Sequence, residues 1–125
     1  MPRDILKEVI DEGTTREVYF VVTDEKDAGL PAASLTTLTL TLYSLHGPLA
    51  IINSRDGQNI LNANNVTIDS SGNGAWQSQP LDNQILDATL PLERHRALIQ
   101  WTWAGGAKVG KHEIDFAVRN LNRVP

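Results

Sequence analysis

Arg94-His-Arg-Ala-Leu-Ile-Gln-Trp-Thr-Trp, followed by Ala104-Gly-Gly-Ala-Lys-Val-Gly-Lys and His112-Glu-Ile-Asp-Phe-Ala-Val-Arg-Asn-Leu121, is the longest regular pattern in the chain. In its first limb Ala97, Ile99, Trp101 and Trp103 share one parity, against Arg94, Arg96, Leu98, Gln100 and Thr102 on the other. In the second limb Ile114, Phe116 and Val118 alternate with Glu113, Asp115, Ala117 and Arg119. A period of two with one apolar face is a half-buried strand. Gly105 and Gly106 fall between the limbs, where a hairpin turn needs positive φ. The stretch therefore predicts a long antiparallel hairpin. A hairpin alone is marginal in water, so its apolar face requires a second layer from the rest of the chain.

Working outward, Asp4 to Glu12 carries Ile5, Leu6, Val9 and Ile10 at a spacing that suits a ragged strand or one helical turn, with strand preferred. Thr15 to Thr23 is rich in β-branched and aromatic residues and places Val18, Phe20 and Val22 on one face, which reads as a strand. Asp24 to Ser34 has loop composition. Ser34 to Ser44 alternates Leu38, Leu40 and Leu42 with Thr37, Thr39 and Thr41, the cleanest strand pattern outside the hairpin. Gly47-Pro48 ends it, and Leu49 to Asn53 suggests a further short strand.

Beyond the Ser54 to Asn59 loop, Ile60-Leu61 reads as an apolar pair tucked under the sheet edge. Val66 to Asp69 and Ala75 to Ser78 flank Asp69-Ser-Ser-Gly-Asn-Gly, a hairpin that points Trp76 inward. Pro80 to Pro91 spaces Leu81, Ile85, Leu86 and Leu90 so that a helical turn or an extended crossover would bury them. Strands joined by short Gly, Pro, Asn and Asp links, without a convincing long helix, predict one all-β domain over residues 1–125. The expected architecture is an immunoglobulin-like antiparallel β-sandwich of about seven strands, with a small β-barrel as the alternative.

The 125 residues suffice for a core without covalent staples. With no cysteine in the sequence, disulfides, thiolate metal sites and a cysteine nucleophile are excluded, and redox chemistry leaves the compartment open. The N-terminus lacks the apolar region of a cleavable signal, and no apolar run reaches the roughly 18 residues of a membrane span. A soluble protein without a membrane partner is expected. A net charge of -4 disfavours a nucleic-acid partner, because Lys and Arg must neutralise phosphates.

Candidate chemistry is thin. His46, His95 and His112 are the only histidines; His95 and His112 sit near opposite ends of the final hairpin limbs and His46 in a Leu-His-Gly-Pro turn, a spacing that does not favour convergence on a metal ion. Ser, His and Asp are present without a nucleophile signature. Glu113 and Asp115 share a strand face that reads as solvated rather than as an acid and base pair. Asp69-Ser-Ser-Gly-Asn-Gly lacks the terminal bidentate acid of an EF-hand loop and reads as a turn. The reading is accordingly a protein with no catalytic residues, no cofactor and no metal. Trp101 belongs with the core, whereas Trp103, nearer the turn, is open to exposure and to stacking on a sugar.

The two loops longest for a sandwich, Asp24 to Ser34 and Ser54 to Asn65, are the expected contact sites. The first carries Asp24, Glu25 and Asp27, the second Arg55, and the strand start carries Arg94 and Arg96. An arginine there can take a partner's carboxylate in its planar donor fork, although a solvated strand start is the simpler reading. Acidic loop and basic strand start together form a complementary set for contacts between copies or with another protein.

Leu38-Thr-Leu-Thr-Leu-Tyr, Ile51-Ile-Asn-Ser-Arg, Gln58-Asn-Ile-Leu-Asn-Ala-Asn-Asn-Val-Thr-Ile-Asp, the Trp76 hairpin, Glu93-Arg-His-Arg-Ala-Leu and Gly110-Lys-His-Glu-Ile-Asp-Phe-Ala-Val-Arg-Asn-Leu together cover most of the chain from Thr15 onward. In these features the chain resembles a family of small structural proteins of tailed bacteriophages. The resemblance implies an immunoglobulin-like virion component without enzymatic activity, made in the host cytoplasm and associated with the capsid, the head-to-tail junction or the tail. Its implied partners are other virion proteins and copies of itself, present in several copies. A carbohydrate or receptor-binding module is the alternative, suggested by Trp103 and by Asn62 to Asn65.

Overall fold

The structure, a computed structural model, describes residues 3–6, 9–46 and 50–121. Among them are nine strands: β1 Arg3–Ile5, β2 Ile10–Asp11, β3 Arg16–Val21, β4 Leu35–Ser44, β5 Gln58–Asn59, β6 Val66–Ile68, β7 Asn73–Ser78, β8 Leu92–Trp103 and β9 Lys108–Arg119. The hairpin β8–β9 pairs Ala97 with Ile114, Ile99 with His112 and Trp101 with Gly110, and its turn places Gly105 and Gly106 at φ 67 and 89°. Gly110 is required by packing: a Cβ there would come within 2.4 Å of the Trp101 indole.

The first sheet runs β1-β9-β8-β4-β5, with β2 also on β9, and the second runs β3-β7-β6. No strand belongs to both, so the fold is a sandwich and not a barrel. The orders β9-β8-β4-β5 and β3-β7-β6 match the G-F-C-C′ and B-E-D sheets of the immunoglobulin sandwich. β1 and β2 run parallel to β9, which makes the larger sheet mixed instead of wholly antiparallel. Strand direction does not show in residue alternation, so the sequence pattern carried no sign of this.

The core is the set of residues whose parity turns them inward. Leu38, Leu40, Leu42, Ala97, Ile99, Trp101, Ile114, Phe116 and Val118 come from the larger sheet, and Val18, Phe20, Val66, Ile68 and Trp76 from the smaller. Leu35 and Leu38 are both buried despite opposite parity, because the register shifts between Leu35 and Thr37 and leaves Thr36 as a bulge. Trp76 meets Phe116 edge to face at 6.3 Å, joining the sheets at mid-sandwich. In antibody domains an inter-sheet disulfide and a tryptophan occupy the core; here aromatic and aliphatic packing alone fills it.

Three expectations are corrected. Of the strand expected over Leu49 to Asn53, the described residues 50–53 form none: Ile51 makes a single bridge to Tyr43, and Asn53 and Ser54 turn left-handed at φ 53 and 55°, while Leu49 and the Gly47-Pro48 stop lie outside the described residues. Leu81 and Leu86 are exposed, because residues 79–83 turn Asp82 and Asn83 inward instead. The outward face of β9 is not simply solvated either, since Glu113 is buried and Asp115 is half-buried beside Arg96.

Candidate functional site

Inward parity in β8 extends back beyond Ala97 to His95 and Glu93, both fully buried. The His95 Nε2–H donates to Glu93 Oε2 at 2.5 Å, and the same carboxylate accepts the backbone N–H groups of Leu86 and Asp87. Glu93 thus pins the 84–90 segment onto the sheet. His95 packs edge-on against Phe116, and its Nδ1 is buried without a hydrogen-bond partner. Burial holds the imidazole pKa below its usual range, outweighing the opposing hydrogen bond that the ring donates to Glu93. A second proton on Nδ1 would lack an acceptor.

Arg55 is also interior. Its guanidinium donates from Nε to Asp82 Oδ1 at 2.5 Å and from Nη2 to Oδ2 at 3.0 Å, then from Nη1 to Gln58 Oε1 and the Asn64 carbonyl. It lies 5.7 Å from the Trp76 ring centroid. Asp82 additionally accepts from Asn53 Nδ2 and the Gln79 N–H. Expected at a contact surface, Arg55 is instead the node that ties the 50–65 segment to the 79–83 turn, and its side chain is withdrawn from solvent.

The asparagines suggested for sugar binding have local work. Asn62, Asn64 and Asn65 adopt φ of 50, 53 and 73°, conformations asparagine tolerates. The Asn62 Oδ1 accepts the Ile68 N–H, the Asn64 Nδ2 donates to the Asn59 carbonyl and the Asn65 Oδ1 accepts from Arg55.

The other predicted contact residues fall at opposite ends of β8. Asp24, Glu25 and Asp27 lie in the loop after β3, beside the β8–β9 turn, where Glu25 accepts from Lys108 Nζ at 2.7 Å. Asp24 accepts the backbone N–H groups of Ala28 and Lys26, which keeps its carboxyl below the ordinary carboxylate range; the Lys108 contact lowers that of Glu25. Asp27 is exposed at φ 62°. Arg94 is exposed near the start of β8, nine residues from Trp103 and so roughly 30 Å away along the strand. Arg96 faces outward but is engaged within its own sheet, donating from Nε and Nη2 to the two Asp115 oxygens at 2.7 and 3.0 Å; that pairing raises its already high pKa. Of the two arginines, Arg94 is the one that projects to solvent.

Trp76 and Trp101 are buried, and the Trp101 Nε1–H donates to the Thr23 carbonyl. Trp103 is half-buried and lines a groove of about 200 Å³ with Asp24, Glu25, Asp27 and Lys111. Asp69 Oδ1 accepts the Ser71 and Asn73 N–H groups and closes its own turn. Among the described residues no three His, Cys, Asp or Glu side chains gather as a metal site, and no helix is long and apolar enough to cross a membrane. The two buried polar clusters follow from inward parity (Glu93, His95) and from a pairing of residues 27 apart (Arg55, Asp82); only the first had a sequence signal. No family model, no curated protein and no solved structure matches the chain.

Proposed function

We propose that the chain is a non-catalytic building block of a tailed-phage particle, working through contacts with copies of itself and with other virion proteins. The resemblance in the β4, β6, β8 and β9 motifs supports the phage assignment. The observation that carries the mode of action is the placement of exposed charge: Asp27 is exposed in the loop at one end of the sandwich, where Glu25 is already engaged by Lys108, and Arg94 is exposed near the other. Charges roughly 30 Å apart cannot satisfy each other within one chain. Between copies they meet head to tail, the heterologous arrangement that closes into rings or extends as stacks. The polar ties toward the Arg94 end, Arg55–Asp82 and Glu93 to the 84–90 segment, hold the loops there at fixed positions, which suits a repeated contact.

Mass spectrometry of purified particles tests the assignment: the chain is expected in mature virions, and its absence from them would remove the reading. The second reading, a carbohydrate or receptor-binding module, draws on the Trp103 groove. Titrating purified protein with oligosaccharides while following tryptophan fluorescence separates the two, since a sugar stacked on Trp103 would alter its emission.

A further inference from the structure

We infer that the free edge of β3 is a self-pairing surface, at which two copies join by antiparallel β3–β3′ addition about a two-fold axis through Tyr19. This goes beyond the head-to-tail reading and does not depend on the setting in which the chain works. Natural sheets protect their edges with short strands, bulges or interruptions. Three of the four edges here follow that rule: β5 has two residues, β6 has three, and β1 and β2 are separate pieces along β9. β3 departs from it, with six residues in unbroken register against β7 on one side and no strand on the other among the described residues. It holds neither proline nor bulge.

The pairing phase identifies the groups on offer. Val22 donates its N–H to the Gly72 carbonyl and accepts from the Leu30 N–H, which aims the backbone groups of even-numbered residues toward β7. By the alternation of an antiparallel ladder, the N–H and C=O of Glu17, Tyr19 and Val21 are aimed the other way. A groove of about 310 Å³ lined by Tyr19, Phe20, Val21, Asn73, Gly74 and His112 runs along β3 and its partner β7. Tyr19 and Val21 are 68% and 45% exposed, a large apolar surface for one short strand.

A second copy fits what this edge presents. Pairing about Tyr19 sets Tyr19 opposite Tyr19 of the other copy and Glu17 opposite Val21, all members of the outward set, and Val18 opposite Phe20, both inward. Side-chain faces and hydrogen-bond phase therefore agree in a single register, and no like charges stand opposite each other. The result is one continuous sheet in the order β6-β7-β3-β3′-β7′-β6′, with an isologous contact.

Sedimentation equilibrium of the whole chain over a concentration series, in salt high enough to screen the head-to-tail charges, tests this with two variants. Tyr19→Pro deletes an N–H that points away from β7, so the existing ladder is retained, and Tyr19→Lys places two like charges on the axis while leaving the backbone intact. The wild type is expected to reach twice the 13.7 kDa chain mass with rising concentration. Both variants are expected to stay monomeric with unchanged circular dichroism, and amide exchange at Glu17, Tyr19 and Val21 is expected to slow as the dimer forms. A wild type that remains monomeric throughout, or a dimer that survives Tyr19→Lys with those amides still exchanging freely, overturns the proposal.

Discussion

Arg55→Met separates two roles for one residue. An arginine at a protein contact would lose association and leave stability alone, whereas the structure places this guanidinium inside, with its side chain 3% exposed and that of Asp82 fully buried. Methionine retains most of the stem beside Trp76 but removes every donor. Asp82 would then keep only Asn53 Nδ2 and the Gln79 N–H, two neutral donors for a buried carboxylate. Removing one partner of a buried pair costs about 3 to 5 kcal/mol, chiefly through the charge left behind. Against a typical domain stability of about 5 to 15 kcal/mol that is a large fraction.

The assay is urea unfolding followed by tryptophan fluorescence. With a slope of about 1 to 3 kcal/mol per molar urea, the midpoint should fall by roughly 2 M. Asp82→Leu in the same background should recover part of the loss, because the stranded charge is gone. A change within about 0.5 kcal/mol, the range of ordinary surface substitutions, would refute the burial argument. So would a double variant less stable than the sum of the single ones.

Phe116→Ala should cost about 3 to 5 kcal/mol, since the ring fills the space between Trp76 and His95; Asp115→Ala, which breaks a two-bond pair with Arg96, should cost only about 1 kcal/mol. Equal midpoints for the two in urea would contradict the assignment of faces on β9. Gly74→Ala should lose about 1 to 3 kcal/mol, because its Cβ would sit 2.3 Å from the Phe20 ring, and a wild-type midpoint would show that the ring yields freely. For His95 burial holds the folded pKa below the ordinary histidine value of about 6.5, so the unfolded chain binds more protons and the contribution is complete above that pH. It is lost as pH falls from there toward the folded value, with a slope of about 1.4 kcal/mol per pH unit that His95→Gln should abolish in a pH series of unfolding curves. Arg94→Glu should weaken any salt-sensitive head-to-tail association seen by sedimentation while shifting stability by less than about 0.5 kcal/mol.

Where one sheet face is apolar and the other polar, the chain records its own architecture. Leu38, Leu40 and Leu42 among threonines, and Ile114, Phe116 and Val118 among charges, turned inward as their alternation required. What escaped the sequence was of another kind. Glu93 and His95 carry the same parity as Ala97, but residue type argues outward while position argues inward; position prevailed because Glu93 found two backbone donors in the 84–90 segment and an imidazole partner. Leu81 and Leu86 had the opposite fate. Their apolar spacing suggested burial, yet the 79–83 turn satisfies the Arg55 charge by turning Asp82 inward, and the leucines are left outside.

Both failures share a cause. Apolar burial is graded and non-directional, so a leucine can be left exposed at roughly 1.5 to 3 kcal/mol, whereas an interior arginine without its carboxylate costs more than that and admits few geometries. When the two compete for one turn, the charged pair decides the conformation. The pairing of Arg55 with Asp82 spans 27 residues and joins the β4–β5 connection to the β7–β8 connection, so no local window contains it. Contact surfaces are subject to the same competition. A charge counted in the sequence is available to a partner only after the fold has taken what it needs, and here it takes Arg55 wholly, Arg96 through Asp115 and Glu25 through Lys108. Arg94 remains exposed near one end of the sandwich and Asp27 in the acidic loop at the other, so any head-to-tail docking between copies is steered through these two residues first.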